Sequence, residues 1–337
     1  MSIVMTGGGT GGHLAIIKAV KEELTEIELI YIGSTKGQDR AWFEDDKDFK
    51  AKYFLDTQGV VNQGILGKIK SIYMLLKATL KARALLKKHN AKVVFCVGGF
   101  SSAPTSFAGK SLKIPLVIHE QNASIGSLNR LLQPYSDAFI SSYQEDSPIK
   151  AYPIKKEFFQ KARVRKEIKT VIFLGGSQGA VAINKLALKI APTLNEKGIK
   201  IIHQAGEKNI QEVKEQYKNI GIEATVFGFT NKLSDYMAMA DFAIARAGAS
   251  TLWELSAIGC PTLFIPYPYA FGDHQYYNAK FLEEQGVAWI IREDEITPNR
   301  VIEIIDSADI EPKSKKLQTL IQKDGAKEIA ELLKKYE

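Results

Sequence analysis

Two α/β domains, each built on a doubly wound parallel sheet, are what this sequence predicts, and three observations predict them. Short apolar runs rich in valine and isoleucine alternate with longer amphipathic stretches. That is the pattern of strands buried on both faces and joined by helices. The alternation breaks at residues 147–165, a polar, basic stretch marked by Pro148 and Pro153, and then restarts. Each half also opens with a glycine-rich turn between its first strand and first helix, GGGTGGH (Gly7 to His13) and GGSQGA (Gly175 to Ala180).

The elements follow in order. Residues 2–6 read as a strand, 14–25 as a helix and 28–32 as a second strand. Residues 93–97, 115–118 and 138–141 are further buried strands by their Val and Ile content. Residues 147–165 read as a linker. Beyond it, 170–174 is a strand, 180–191 a helix, and 200–204, 225–227, 242–245 and 262–266 are strands. A chain of 337 residues accommodates two domains of ~100–200 residues each. The halves fall at about 1–150 and 160–315.

Composition narrows the class. Hydrophobic residues at 45% and charged residues at 25% supply two ordinary cores and exclude a disordered chain. No apolar run approaches the ~18–20 residues that span a bilayer. The sequence starts on a strand and not on a signal segment, so a cytoplasmic location is expected. Cys96 and Cys260 each sit in an apolar run, which argues against a disulfide framework or a cysteine zinc site. The net charge of +7 is unevenly spread: between Asp56 and Glu120 there is no acid. Lys68, Lys70, Lys77, Lys81, Arg83, Lys87, Lys88, Lys92, Lys110 and Lys113 fill that stretch. Such a block attracts an anionic partner: nucleic acid, a phosphorylated substrate or an anionic membrane.

A glycine-rich turn from strand to helix brings backbone N–H groups and the helix dipole to negative charge. Gly7, Gly9 and Gly12 have dinucleotide-fingerprint spacing, but no acid ends the second strand, which disfavours a nicotinamide cofactor. Two such loops, opening two similar domains, are expected to hold ligand at the carboxyl ends of the strands. AGKS (Ala108 to Ser111) is not a P-loop, because Pro104 stands where the pattern needs glycine. Asp46-Lys47-Asp48 reads as a solvated helix face and not as a metal-binding D-x-D. No cluster has metal-ligand spacing, so no metal is expected. HEQN (His119 to Asn122) follows a buried strand and is placed to line a cleft. ARAGASTLWE (Ala245 to Glu254) offers small residues, a helix N-terminus and an acid inside the helix. PYPYAFGDHQYYNA (Pro266 to Ala279) is a loop dense in aromatic and amide groups.

Taken in order, GGGTGGH, YIGSTKGQD (Tyr31 to Asp39), VGGFSSAP, HEQN, GGSQGA, ARAGASTLWE and DHQYYNA resemble the MurG family of glycosyltransferases. Its members add N-acetylglucosamine to the lipid-linked muramyl-pentapeptide precursor of peptidoglycan. The resemblance runs from the first strand to the last helix. It implies a GT-B fold, two Rossmann-like domains with an interdomain cleft. The domains would be 1–155 and 156–322, with the last helix, about 323–337, returning to the first. It further implies inverting transfer from UDP-N-acetylglucosamine to the C4 hydroxyl of N-acetylmuramic acid in lipid I, giving lipid II, with no cofactor.

The resemblance assigns roles residue by residue. Glu254 matches the acid on the ribose hydroxyls. Ser177 and the GGSQGA backbone match the diphosphate site, as does the helix start at Ala249 and Ser250, which Arg246 precedes. Phe229 and Thr230 match the loop reading uracil. His274 and Gln275 match the pair at the sugar hydroxyls, with Asn278 ordering them. Thr10, Gly11, Gly12, Asn122 and Lys155 are also counted among groups in reach of the donor. On the acceptor side, the first glycine loop with Thr10 and His13 would meet the acceptor diphosphate. His13 is the leading candidate for general base, since imidazole titrates near neutral pH; Glu120 is its rival. Two departures stand out. Lys155 replaces an arginine common in the family, keeping charge but losing the bidentate fork, and Phe100 stands where tyrosine is common.

The implied partners are UDP-N-acetylglucosamine, lipid I, an anionic membrane surface and a cell-wall synthesis complex, but not nucleic acid. The protein would be peripheral, on the cytoplasmic face of the bacterial inner membrane. Residues 64–89 supply a device for that surface. At 100° per residue, Ile65, Ile69, Ile72, Tyr73, Leu76 and Leu80 share one face beside a stripe of Lys70, Lys77, Lys81 and Lys88. Ile69, Tyr73 and Leu76 match the family's exposed apolar patch, and part of this face is expected to be core. Another GT-B transferase or a UDP-sugar epimerase would share the donor motifs; GGTGGH and HEQN separate them. A nucleic-acid-binding protein would use the basic block, but no nucleic-acid motif accompanies it.

Overall fold

The computed structural model describes residues 2–57, 65–176 and 178–336, with the side chains of residues 65, 66, 68 and 69 set aside. The chain divides into two compact units, Met1–Ile154 with Lys323–Glu337, and Lys155–Gln322.

In the first unit the strands are β1 (Ser2–Thr6), β2 (Glu28–Ser34), β3 (Ala51–Leu55), β4 (Ala91–Cys96), β5 (Leu116–Glu120) and β6 (Ala138–Ser141). The helices are α1 (Gly11–Lys21), α2 (Asp39–Phe43), α3 (Ile65–Lys88), α4 (Ala103–Ser111) and α5 (Ser127–Leu132). The strands form one parallel sheet in the order β3-β2-β1-β4-β5-β6. Helices on a parallel sheet bury both its faces, and β1 and β5 are buried throughout. The core joins Val4, Ile30, Val94, Leu116 and Ile118 to Ala78, Ala82 and Leu86 of α3.

The second unit repeats the plan. It contains α6 (Lys156–Gln160), β7 (Thr170–Leu174), α7 (Val181–Glu196), β8 (Lys200–Gln204), α8 (Ile210–Asn219) and β9 (Ala224–Phe227). There follow α9 (Leu233–Met239), β10 (Phe242–Ala245), α10 (Ala249–Ala257), β11 (Thr262–Phe264), α11 (His274–Glu284), β12 (Ala288–Ile290), α12 (Pro298–Ser307) and α13 (Ile310–Leu320). Its parallel sheet runs β12-β11-β10-β7-β8-β9. The last helix, α14 (Gly325–Lys334), belongs to the first unit and packs on α1.

Both sheets reverse direction of growth at one place, between β1 and β4 in the first unit and between β7 and β10 in the second. At such a switch point the loops leaving the two central strands part, which opens a crevice at the strands' carboxyl ends.

Several sequence expectations are corrected. The boundary between the two units falls within residues 147–165, where the linker is expected, but the segment is less polar in its surroundings than in its composition: Ile149, Ala151, Tyr152, Ile154 and Phe158 are buried, and Arg165 is 0% exposed. Apolar residues interleaved with the lysines anchor this segment. Asp46-Lys47-Asp48 lies in a turn and not on a helix. Its two carboxylates hold the Lys21 ammonium at 2.6 Å each, a structural pairing. Helix α7 runs past Pro192 to Glu196, because the proline removes one N–H while Leu194 stays buried in the core. His119 and Glu120 close β5 and do not follow it.

Candidate active site

In the first unit the loops after β1 and β4 meet at the switch point. Gly99 has φ +80°, and a Cβ there would lie 2.5 Å from the Gly8 carbonyl oxygen. The two glycine loops thus touch backbone to backbone, which other residues forbid. The buried carboxylate of Asp39 anchors the first loop. Oδ2 accepts from the Gly9 N–H at 2.7 Å, and Oδ1 accepts from the Ser34 N–H at 2.9 Å and the Tyr31 hydroxyl at 3.0 Å. The Tyr31 hydroxyl also lies 2.9 Å from the Gly7 carbonyl. Phe100 covers Gly9.

His13 stands in the first turn of α1, half-buried. Its Nδ1 is 2.9 Å from Thr10 Oγ1 and its Nε2 is 3.0 Å from Gln121 Nε2. Thr10 holds the N-cap position of α1 but turns its hydroxyl to His13 and not to the helix backbone. Gly11 and Gly12 are the first two helical residues, so their N–H groups belong to the positive end of α1.

Glu120 is placed differently from a free base. Its carboxylate is 2% exposed. Oε1 accepts from the Asn122 N–H at 2.9 Å and from its amide at 3.4 Å. Oε2 accepts from the Gly126 N–H at 3.0 Å and the Asn129 amide at 2.8 Å. With its lone pairs so engaged, it orders the turn that carries Asn122. His119 is buried beside Tyr152, and burial pushes its imidazole down to about 3, so it is neutral.

In the second unit the loops after β7 and β10 flank the switch point. Gly179 has φ +80°, and a Cβ there would meet the Ala205 carbonyl at 2.4 Å. Ser177 lies outside the described residues. Helix α10 begins at Ala249 with Gly248 at its N-cap and Ser250 in its first turn, so the positive end of its dipole lies at the crevice end. Glu254 is 1–2 turns further along this helix. Burial raises its carboxyl to about 8, with Lys155 opposing the rise and Glu157 adding to it. The structure therefore brings Lys155 into electrostatic reach of Glu254.

The guanidinium of Arg246 donates to the carbonyls of Ile265 and Pro266, each at 3.1 Å, and pairs with Glu293. It shapes the following aromatic loop. There Gln275 Oε1 accepts from the Tyr267 N–H at 3.0 Å, His274 Nδ1 donates to the Phe271 carbonyl at 2.9 Å, and buried Asn278 donates to the Ala247 carbonyl at 3.2 Å. Phe229 is exposed and its N–H donates to the Glu207 carboxylate, while Thr230 Oγ1 accepts from the Lys232 N–H at 3.0 Å.

The basic helix α3 presents Ile72, Tyr73, Leu76 and Leu80 to solvent, with Tyr73 65% and Leu80 69% exposed. Lys70, Lys77 and Lys81 are exposed beside them. Its core contacts come from Ala78, Ala82 and Leu86, on a different face. The apolar face from Ile72 to Leu80 is therefore surface and not core. The side chains of Ile65 and Ile69 lie outside the described residues. Among the described residues no group of three or more His, Cys, Asp or Glu is placed to hold a metal ion, and no helix is long and apolar enough to cross a membrane.

Residues 3–141 match the glycosyltransferase family 28 N-terminal domain, and residues 170–335 match the glycosyltransferase family 28 C-terminal domain. A protein of Sulfurovum sp. (strain NBC37-1) is 69% identical over 336 residues, covering 100% of this chain and 99% of its own. It is named UDP-N-acetylglucosamine–N-acetylmuramyl-(pentapeptide) pyrophosphoryl-undecaprenol N-acetylglucosamine transferase. The chain belongs to the MurG transferases of glycosyltransferase family 28. A relative of the same name from Wolinella succinogenes is 50% identical, covering 99% of each chain. The crystal structure of Acinetobacter baumannii MurG superposes with a TM-score of 0.80 at 25% identity, covering 99% of each chain. The GT-B fold, two parallel six-stranded sheets with flanking helices, is thereby established for this MurG-family chain.

Three features of the site were not assigned from sequence. The second glycine loop, Gly98-Gly99, was visible only as part of a motif. Asp39 closes the YIGSTKGQD motif, and its role as loop anchor needs the fold. Gln121 reaches His13 across 108 residues of sequence.

Proposed function

We infer that this chain transfers N-acetylglucosamine from UDP-N-acetylglucosamine to the C4 hydroxyl of N-acetylmuramic acid in lipid I, forming lipid II. Full-length identity of 69% to a transferase of that name carries the reading. In the transfer the acceptor oxygen attacks the anomeric carbon from the face opposite the diphosphate. The C1–O4 bond forms, the bond from C1 to phosphate oxygen breaks, and UDP leaves with its electron pair. An α donor gives a β product. His13 takes the hydroxyl proton on Nε2, and the N–H groups of the first glycine loop with Thr10 hold the acceptor diphosphate.

The second unit holds the donor. Glu254 accepts from the ribose hydroxyls, and the GGSQGA loop with the start of α10 at Ala249 and Ser250 holds the diphosphate. His274 and Gln275 hold the sugar, and Phe229 and Thr230 the uracil. Arg246 acts through the loop it shapes, and Lys155 through Glu254. No metal takes part, so activity persists in EDTA; loss reversed by Mg²⁺ would contradict this.

Glu254 makes donor binding depend on pH. Its carboxyl, raised to about 8 in the free protein, must ionise to accept from both ribose hydroxyls. Donor binding therefore releases a proton, and affinity rises with pH up to about 8 and levels off above it. Glu254→Ala raises the donor KM by a factor set by ~1–3 kcal/mol and removes that pH dependence. A folded variant with unchanged donor KM rejects the role.

The acceptor's polyprenyl tail places the work at the cytoplasmic face of the inner membrane. The exposed apolar face of α3 with Lys70, Lys77 and Lys81 is the contact surface. Each lysine near an anionic leaflet contributes ~1 kcal/mol, within a Debye length. Replacing Lys70, Lys77 and Lys81 with glutamate abolishes sedimentation with anionic vesicles and spares transfer to a short-chain soluble acceptor. Undiminished vesicle binding by that variant would remove the proposal. The product ties this protein to the cell-wall synthesis complex, and so to cell shape and division.

A further inference from the structure

Gln121 has no role in the reading so far, yet it is the side chain that meets the proposed base. Its amide nitrogen is 3.0 Å from His13 Nε2, while Thr10 Oγ1 is 2.9 Å from His13 Nδ1. The imidazole is thus gripped on both nitrogens, from its own helix start and from the residue after β5. An amide NH₂ only donates. His13 Nε2 therefore carries the lone pair, and Nδ1 carries the proton, donated to Thr10 Oγ1.

We propose that Gln121 is a positioning residue that fixes the orientation and tautomer of His13, keeping Nε2 unprotonated and ready to accept the acceptor's proton. The proposal rests on the reading of His13 as base. A donor aimed at Nε2 favours the neutral ring over the imidazolium. Gln121 is 7% exposed, and its Oε1 is buried without a hydrogen-bond partner. Neutral Nε2 has a single lone pair, so the acceptor hydroxyl takes the amide's place on it before transfer; once the acceptor O–H bond has broken and Nε2 holds the proton, a half-turn of the amide presents Oε1 to the new N–H. One side chain then serves both proton states.

The groups around the ring leave this device in control. From β5 the titratable neighbour is His119, which burial keeps neutral. Glu120 is turned to Asn122, Gly126 and Asn129. The Asp39 carboxylate, from α2, is engaged with the Gly9 N–H. The cationic residues of α1, Lys18 and Lys21, lie in its last turn.

The test uses the full-length protein with ¹⁵N-labelled histidine, and transfer to a soluble lipid I analogue. The wild-type His13 ring is expected as the Nδ1–H tautomer. Gln121→Glu supplies a carboxylate that favours imidazolium, so the His13 titration and the acidic limb of the kcat profile both move up by ~1–3 pH units. Gln121→Met leaves a mixture of tautomers and lowers kcat by about 2- to 10-fold, with donor KM unchanged. An Nε2–H tautomer in the wild type, which needs no variant, overturns the proposal. So does an unmoved titration and acidic limb in both variants. If His13→Ala keeps wild-type kcat, the base reading itself has failed, whatever the Gln121 variants do.

Discussion

Replacing His13 with alanine lowers kcat for sugar transfer by ~10²–10⁴-fold and leaves the donor KM near its wild-type value. The size is that of a lost general base. The asymmetry follows from position: His13 belongs to the first unit's glycine loop, while Glu254 and the start of α10 belong to the second unit. Glu120→Ala is expected to act through the turn it holds, since both its oxygens already accept from Asn122, Gly126 and Asn129. If a well-folded Glu120→Ala lost far more kcat than His13→Ala, the two roles would be exchanged. Steady-state kinetics of both variants at several donor concentrations decide it.

The second large effect is on stability. Arg165 is 0% exposed, and its guanidinium donates to four main-chain carbonyls. These are Ala240 at 3.0 Å, Arg163 at 2.8 Å, Met237 at 3.2 Å and Ile258. Met237 and Ala240 lie at the end of α9 and Ile258 caps the end of α10, where carbonyls lack helical partners and carry the negative end of the dipole. Arg165→Met fills similar space and takes the charged donor from all four carbonyls; Ala240 keeps the Arg163 guanidinium, Ile258 the Arg163 N–H and Arg163 the Ser314 hydroxyl, and that of Met237 loses its side-chain partner. With ~1–3 kcal/mol for the Met237 carbonyl and smaller losses at the other three, the expected cost is ~2–4 kcal/mol, a large share of the ~5–15 kcal/mol that holds a domain. Because α10 carries Glu254, donor binding weakens with it. Chemical denaturation is the measurement; a midpoint within ~1 kcal/mol of wild type would mean that water replaces the guanidinium.

Much of this molecule is legible in its residues because parallel strands advertise themselves. Runs such as VIFL at Val171 to Leu174 and FAIA at Phe242 to Ala245 are buried on both faces and contain little else. Two of the four edge strands escape. AKYFL at β3 is half-exposed over four of its five residues, and AWI at β12 is three residues long. Neither has the apolar continuity that marks a central strand. The glycine loops and HEQN were visible as motifs, since close backbone approach leaves its mark in composition. What each residue touches was not. Arg165 reads as one more charge in a basic stretch, Asp39 as the last letter of a polar loop, and Lys21 with Asp46 as surface. Each is fixed by partners that only the sheet order brings near.

The face of α3 shows the same limit. Its period was readable, but which stripe meets the sheet depended on Ala78, Ala82 and Leu86, small or aliphatic residues of ordinary appearance. Four large apolar side chains beside three exposed lysines were thereby left at the surface, the placement expected of a contact with lipid and not of a core.

The most direct measurement is transfer of labelled sugar from UDP-N-acetylglucosamine to a lipid I analogue by the purified protein. The account predicts a disaccharide product with a new β linkage to the C4 oxygen, formed together with one UDP per sugar transferred. Hydrolysis or epimerisation of the donor without transfer, or a product that keeps the α configuration, would contradict it.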